Sequence, residues 1–269
     1  MPYFLYDVPL KVLAASFVLI AIAVMFISLR LLKPLVRRLA GPDSDDFNES
    51  VRTATTGFSL FYGLLLGLLT VAAYQNNAHV KEAILNEATT LSALYSDMTS
   101  YPEPIRSDMQ GMLRDYVLFT VDKDWPAHRR GEFLNGGFNR ANAMRQRLAK
   151  FDPATDSERI LHGQVMGAFG TFTAARQQRL TGVITTIPAV LWYAVLVGAA
   201  IHLLLLVMLH MPPRRQFVLG TINASFLGVV LFVIVALDNP LRGESGLSPA
   251  PLQLLWQRVM VWDEQPPPG

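Results

Sequence analysis

The stretch YGLLLGLLTVAAYQNNAHVKEA, residues 62–83, decides the fold. It starts as helix soluble in lipid and ends as charged helix soluble in water, with no proline or turn cluster between the halves. Its continuity raises the question of whether this helix is only an anchor or the wall of a passage through a membrane. The chain around it has the same mixed character. Of 269 residues, 51 % are hydrophobic and 16 % are charged, with a mean hydropathy of +0.30. That is too apolar for an ordinary soluble domain and too charged for a bare membrane bundle.

A helix crossing the hydrocarbon core needs about 20 mostly apolar residues. Span one covers about residues 12–32 and is followed by RLLKPLVRR rather than a small-residue cleavage site, so it does not read as a signal peptide. Span two covers about 53–75, span three about 182–210 with Pro188 expected to kink it, and span four 216–238. Between the two hairpins lies a polar stretch, residues 76–179. The predicted fold class is an all-α integral membrane protein. It has four transmembrane helices plus an extramembrane helical domain, formed partly by extensions of spans two and three. A C-terminal turn, amphipathic helix and tail occupy 239–269.

Lys and Arg close to the spans predict sidedness. Arg30, Lys33, Arg37, Arg38, Arg52, Arg214 and Arg215 flank the two hairpin turns, against Lys11, Lys81, Arg176, Arg179 and Arg242 on the other side. The bias places the turns in the cytoplasm, and the middle domain and both termini outside. The net charge of +2 comes without a basic block, which argues against nucleic-acid binding. The absence of cysteine excludes disulfides, thiolate metal sites and Cys nucleophiles.

The middle domain reads as helices, with no alternating β-branched run. One apolar stripe carries Ile84, Ala88, Leu91, Tyr95 and Met98, and SYPEP stops it. A second carries Ile105, Met109, Met112, Tyr116 and Val117 and is expected to end near DKDWP. A third starts near Glu132, with Phe138, Ala141, Met144 and Leu148. The last, capped by Asp156 or Ser157, bears Ile160, Val165, Phe169 and Phe172 and runs into span three. After Pro249, the residues Leu252, Leu255, Trp256 and Val259 share one face, so this segment lies on the membrane or packs on the bundle.

No hydrolase, zinc-protease, phosphate-loop or dinucleotide motif occurs, so no catalytic residue, metal site or cofactor is assigned and the chain does not read as an enzyme. His79 and Glu82 can meet on one helix, most simply as a solvated pair. His202 lies within span three, as a functional candidate or as a hydrogen-bonding link between helices.

Span two has its own pattern. Gly63 and Gly67 have the spacing that lets helices approach closely. Two ladders of large apolar groups flank them: Phe58, Tyr62 and Leu66, and Phe61, Leu65 and Leu69. Around a shared axis, either ladder would form an apolar constriction that gates by dewetting. Asn76 and Asn77 would stand at its mouth.

The apolar helix, the NN pair and the polar helix that follows resemble the neck of the bestrophins, as does the layout of two spans, helical domain and two spans. The chain more closely resembles a family of bestrophin-like bacterial membrane proteins. The likeness rests on LNEATTLSALY (85–95), MLRDYV (112–117), Trp125, ARQQRL (175–180), Pro188, Trp192 and LDNPLRGESGLSP (237–249). Leu241 stands where the family often has Phe. The resemblance implies a pentameric ion channel of a bacterial inner membrane, with span two around the axis. It also implies a family turn at Asp238, Pro240 and Gly243. It would put the middle domain in the cytoplasm, against the charge bias. The acidic cluster of calcium-activated members is missing, so calcium activation is not expected. The partners expected are the lipid bilayer, inorganic ions and further copies of the chain. The alternative is a membrane sensor or scaffold whose helical domain binds a ligand or partner without ion conduction.

Overall fold

The computed structural model describes residues 6, 8–40, 45–243 and 246–261. The tail QPPPG, and Glu244 and Ser245 of the turn motif, lie outside the described residues. Every regular element among the described residues is helical. The chain runs α1 (Leu10–Ala40), α2 (Asp45–Asp97), α3 (Ile105–Phe119), α4 (Trp125–Arg129), α5 (Gly136–Ala149), α6 (Asp156–Ile184), α7 (Ala189–Met208), α8 (Pro213–Asp238) and α9 (Ala250–Leu255). Four helical stretches are long and apolar enough to cross a membrane, and they lie in α1, α2, α6–α7 and α8. The protein is an all-α, multi-pass membrane protein.

Two compact units divide the chain. One comprises Met1–Gln75 and Thr186–Asp238, the other Asn76–Thr185 and Asn239–Gly269. In the first unit α1 packs on α7 and α8. Hydrocarbon offers no hydrophobic drive between helices, so close approach depends on small residues. Gly228 supplies it: a Cβ there would stand 2.8 Å from the Cα of Val18. Gly220 lies against Met25 and Gly198 under the ring of Tyr62. Gly63 and Gly67, by contrast, have nothing within 4 Å of an added Cβ. The close-contact glycines of the first unit are therefore on α7 and α8, and the pair on α2 meets open space.

Helix ends in the first unit meet their hydrogen bonds through side chains, as backbone shielded from water requires. The Gln216 amide donates to Leu206 O and Leu209 O at 3.2 and 3.3 Å, and accepts from Lys33 Nζ. Asn48 bonds both the carbonyl and the N–H of His210, each at 3.0 Å.

Span three is broken rather than kinked. α6 ends at Ile184 and α7 begins at Ala189, with Pro188 as its N-cap residue. Proline drives its predecessor out of helical geometry and lacks an N–H of its own. The freed N–H of Ile187 donates to Asp238 Oδ1 at 2.6 Å.

The second unit has a single continuous core, with Leu91, Met98, Leu113, Tyr116, Met144 and Phe172 fully buried. Four sequence expectations change here. The second stripe does not stop at DKDWP: α3 passes through a π-helical turn, Thr120–Asp124, into α4. The third helix starts at Gly136 rather than Glu132, because Gly131 at φ +76° terminates α4. The cap of α6 is Thr155, whose hydroxyl accepts from the Glu158 N–H at 3.2 Å while the Glu158 carboxylate accepts from Ala154 N. Phe138 and Ile160 are exposed, because Gly137 and Val165 are the residues that turn to the core. The C-terminal amphipathic segment packs on this unit: Leu252, Leu255 and Met260 are buried in its core and Trp256 and Val259 lie against it.

Candidate functional site

Two arrangements stand out, one in each unit. The first is the α2 segment singled out above. Tyr62, Leu66 and Leu69 face inward and pack with Val195 and Ile234, with Phe58 and Leu65 half-buried beside them. The Tyr62 hydroxyl donates to Val195 O at 3.1 Å. Phe61 points the other way and is 72 % exposed, in a row with Gly57, Leu64, Leu68 and Val71. The two ladders read from the sequence are thus split. Tyr62, Leu66 and Leu69 are packed in the core of their own chain. Phe61 remains free, and Leu64 and Leu68 join it at helical spacing.

His202 is buried against this helix. Its Nε2 lies 2.9 Å from Asn223 Oδ1 and its Nδ1 3.5 Å from Ser59 Oγ, with Phe58 and Tyr62 stacked over it. Of the two readings of an intramembrane histidine, this geometry is the hydrogen-bonding link.

Asn76 begins the second unit and donates to Thr185 O at 3.5 Å, while Asn77 is half-buried. Asn76, His79 and Glu82 line a polar groove of about 440 Å³ between α2 and α6, with Gly182 held against Val80.

The second arrangement was not visible as a site in the sequence. Glu87 of α2 and Arg179 of α6, both fully buried, form a bidentate ion pair. The Tyr116 hydroxyl donates to the same carboxylate at 2.5 Å. Arg179 also donates from Nη1 to His128 Nδ1 at 3.1 Å, which fixes His128 as the neutral Nε2–H tautomer, and it lies 5.5 Å from the Trp125 ring. Burial first, then Arg179 and Arg176, push the His128 pKa down to about 3. Burial and the Glu87 charge push that of Tyr116 up. Asp124 is fully buried with no hydrogen-bond partner on either oxygen; burial raises its pKa, and the arginines oppose that rise. The π-helical turn explains the convergence. It shifts the register after α3 so that Asp124, Trp125 and His128 all face inward with Tyr116.

The motifs that carried the family resemblance meet here. LNEATTLSALY supplies Glu87, MLRDYV supplies Tyr116, ARQQRL supplies Arg176 and Arg179, and Trp125 stands beside them. The turn motif reaches the same unit: Leu241 enters the core, and the Arg242 guanidinium occupies the space where a side chain on Gly131 would stand. Gly243 takes φ +71°, and Pro240 O accepts from Leu247 N at 2.7 Å. Among the described residues no group of three or more His, Asp or Glu is placed to hold a metal ion.

A bestrophin-like domain model matches residues 15–252. The chain belongs to the bestrophin-like family. Two solved structures share its fold. One is a membrane protein with a proline-to-alanine substitution, at TM-score 0.67 and 9 % identity, covering 94 % of this chain and 99 % of that one. The other is a bacterial bestrophin homolog from Klebsiella pneumoniae with a leucine-to-threonine substitution, at TM-score 0.66 and 10 % identity, with the same coverages. Among curated proteins, no relative matches.

Proposed function

We propose that this bestrophin-like protein is an ion channel of a bacterial inner membrane, assembled from several copies, five by family analogy. In this reading α2 surrounds the axis and its neck is apolar. The observation that carries the reading is the outward row on α2. Phe61, Leu64 and Leu68 are large, apolar and exposed, and they repeat on one face of a helix whose opposite face is already committed to the subunit. Such a row around an axis dewets at small diameters and needs no charge to stop ions. Gly63 and Gly67, open beside it, give neighbouring copies a smooth surface for close contact. Leu65, half-buried, stands at the edge of this face, and Asn76 and Asn77 follow at the mouth.

The middle unit faces the periplasm in this reading, supported by the Lys and Arg around the hairpin turns. The test of function is reconstitution of the purified protein in planar bilayers under asymmetric salt. Discrete current steps with a shifted reversal potential are expected. Silence in a folded, oligomeric preparation across voltage and pH would overturn the channel and favour the sensor or scaffold.

A further inference from the structure

Within the second unit, α5 and α6 flank an open pocket of about 420 Å³, within the size range of small-molecule sites. Arg145, Arg176, Asn142 and Gln177 supply polar lining, and Phe138 and Phe169 an apolar wall. No Asp or Glu lines it. Arg176 is only 7 % exposed, and its Nε is buried with no hydrogen-bond partner. Arg179, one turn along α6, differs in every respect: Glu87, His128 and Trp125 account for it. The acid beside Arg176 is Asp124. A Cβ on Gly137 would stand 2.5 Å from Asp124 Oδ2 and 3.2 Å from Arg176 Nη2, and the two side chains attract each other electrostatically. Both Asp124 oxygens lack a hydrogen bond, so Asp124 attracts the guanidinium without bonding to it. A buried guanidinium whose Nε has no acceptor is costly unless a further group completes it. Arginine's planar fork suits a carboxylate in particular.

We propose that this cavity binds a small organic carboxylate with an apolar or aromatic body. The carboxylate is held by Arg176 and Arg145, and the body rests between Phe138 and Phe169. The site is independent of whether the protein conducts ions, because every lining residue belongs to the second unit.

The test is calorimetric titration of the full-length protein in detergent with benzoate, against inorganic phosphate and chloride at matched ionic strength. Saturable benzoate binding is expected, with phosphate and chloride weaker. Gly170 lies on the cavity wall with nothing within 4 Å of an added Cβ, so Gly170→Leu fills the cavity without disturbing the core. It should abolish binding while the unfolding midpoint stays unchanged. Arg145→Gln, at an exposed position, should weaken binding about tenfold, as expected for one charge-assisted contact. No saturable benzoate binding, or binding indifferent to both variants, would overturn the site. Phosphate binding as tight as benzoate, unaffected by Phe138→Ala, would overturn the organic-carboxylate assignment.

Discussion

Asp238 Oδ1 accepts the Ile187 N–H at 2.6 Å, so the last residue of α8 holds the break that separates α6 from α7. The family turn motif therefore has a mechanical role at its first residue: it satisfies a backbone donor that Pro188 prevents the helix from using. Asp238→Ala leaves that donor bare and should cost about 1–3 kcal/mol in unfolding free energy. Asp238→Asn keeps an acceptor and should cost less. Denaturant unfolding in detergent separates the two, and equal effects would show that the bond is unimportant.

The Glu87–Arg179 pair is predicted to be strongly coupled. Removing one partner strands the other in a dry interior, a loss of about 3–5 kcal/mol. Glu87→Gln and Arg179→Met should each be severe, and the double variant should lose much less than their sum. An additive double-mutant cycle would contradict the coupling.

His128 makes stability depend on pH with a definite sign. Its pKa is about 3 when folded against 6.5 ordinarily, so below pH 6.5 the unfolded chain takes up a proton that the folded chain refuses. Stability should fall from pH 6.5 toward 3, by up to about 1.4 kcal/mol per pH unit. Asp124, whose pKa is raised, acts in the opposite direction on acidification. His128→Gln should therefore flatten the acid limb between pH 6.5 and 4, and Asp124→Asn should not. Unfolding curves taken at each pH read this directly.

Gly198 lies under Tyr62, and an added Cβ would stand 2.4 Å from the ring. Gly198→Ala should destabilise the first unit by about 1–3 kcal/mol through overpacking. Gly63→Ala meets open space in the subunit. A matching loss of assembly without loss of subunit stability, followed by cross-linking, would place Gly63 at a contact between copies.

Phe61→Ala and Leu68→Ala should raise leak current in bilayers. Tyr62→Ala, a residue of the subunit core, should lower stability instead. Unchanged conductance in both outward-row variants would remove the neck from α2.

Sidedness has a clean assay because the chain has no cysteine. Ser96→Cys, exposed in the second unit, should react with an impermeant maleimide from outside spheroplasts, and Ser50→Cys only after permeabilisation. The reverse pattern would put the second unit in the cytoplasm.

The four spans were legible because lipid selects on bulk composition over about 20 residues, a signal that local detail does not blur. The apolar stripes of α2 and α3 were legible for the same periodic reason. The π-helical turn was not, since Asp-Lys-Asp-Trp-Pro carries every mark of a helix stop and only tertiary packing carries the helix through it. The charge cluster was missed because Glu87 and Arg179 look like solvent-facing residues. A signal did exist. Glu87 sits three residues after Ile84 and four before Leu91, inside an apolar stripe, and Arg176 and Arg179 lie four and seven residues after Phe172. Charges placed on a buried face need partners, and the partners come from other motifs.

That dry ion pair also bears on how such a protein can change over generations. Glu87, Tyr116, His128 and Arg179 interlock, so a change at one position is harmful until a second answers it, and the cluster resists drift. Phe61, Leu64 and Leu68 are exposed and stand outside their own chain's core, so no interlocking partner within the chain constrains each one. A lineage can therefore retune the outward row of α2 in small independent steps while the keystone of the second unit stays fixed.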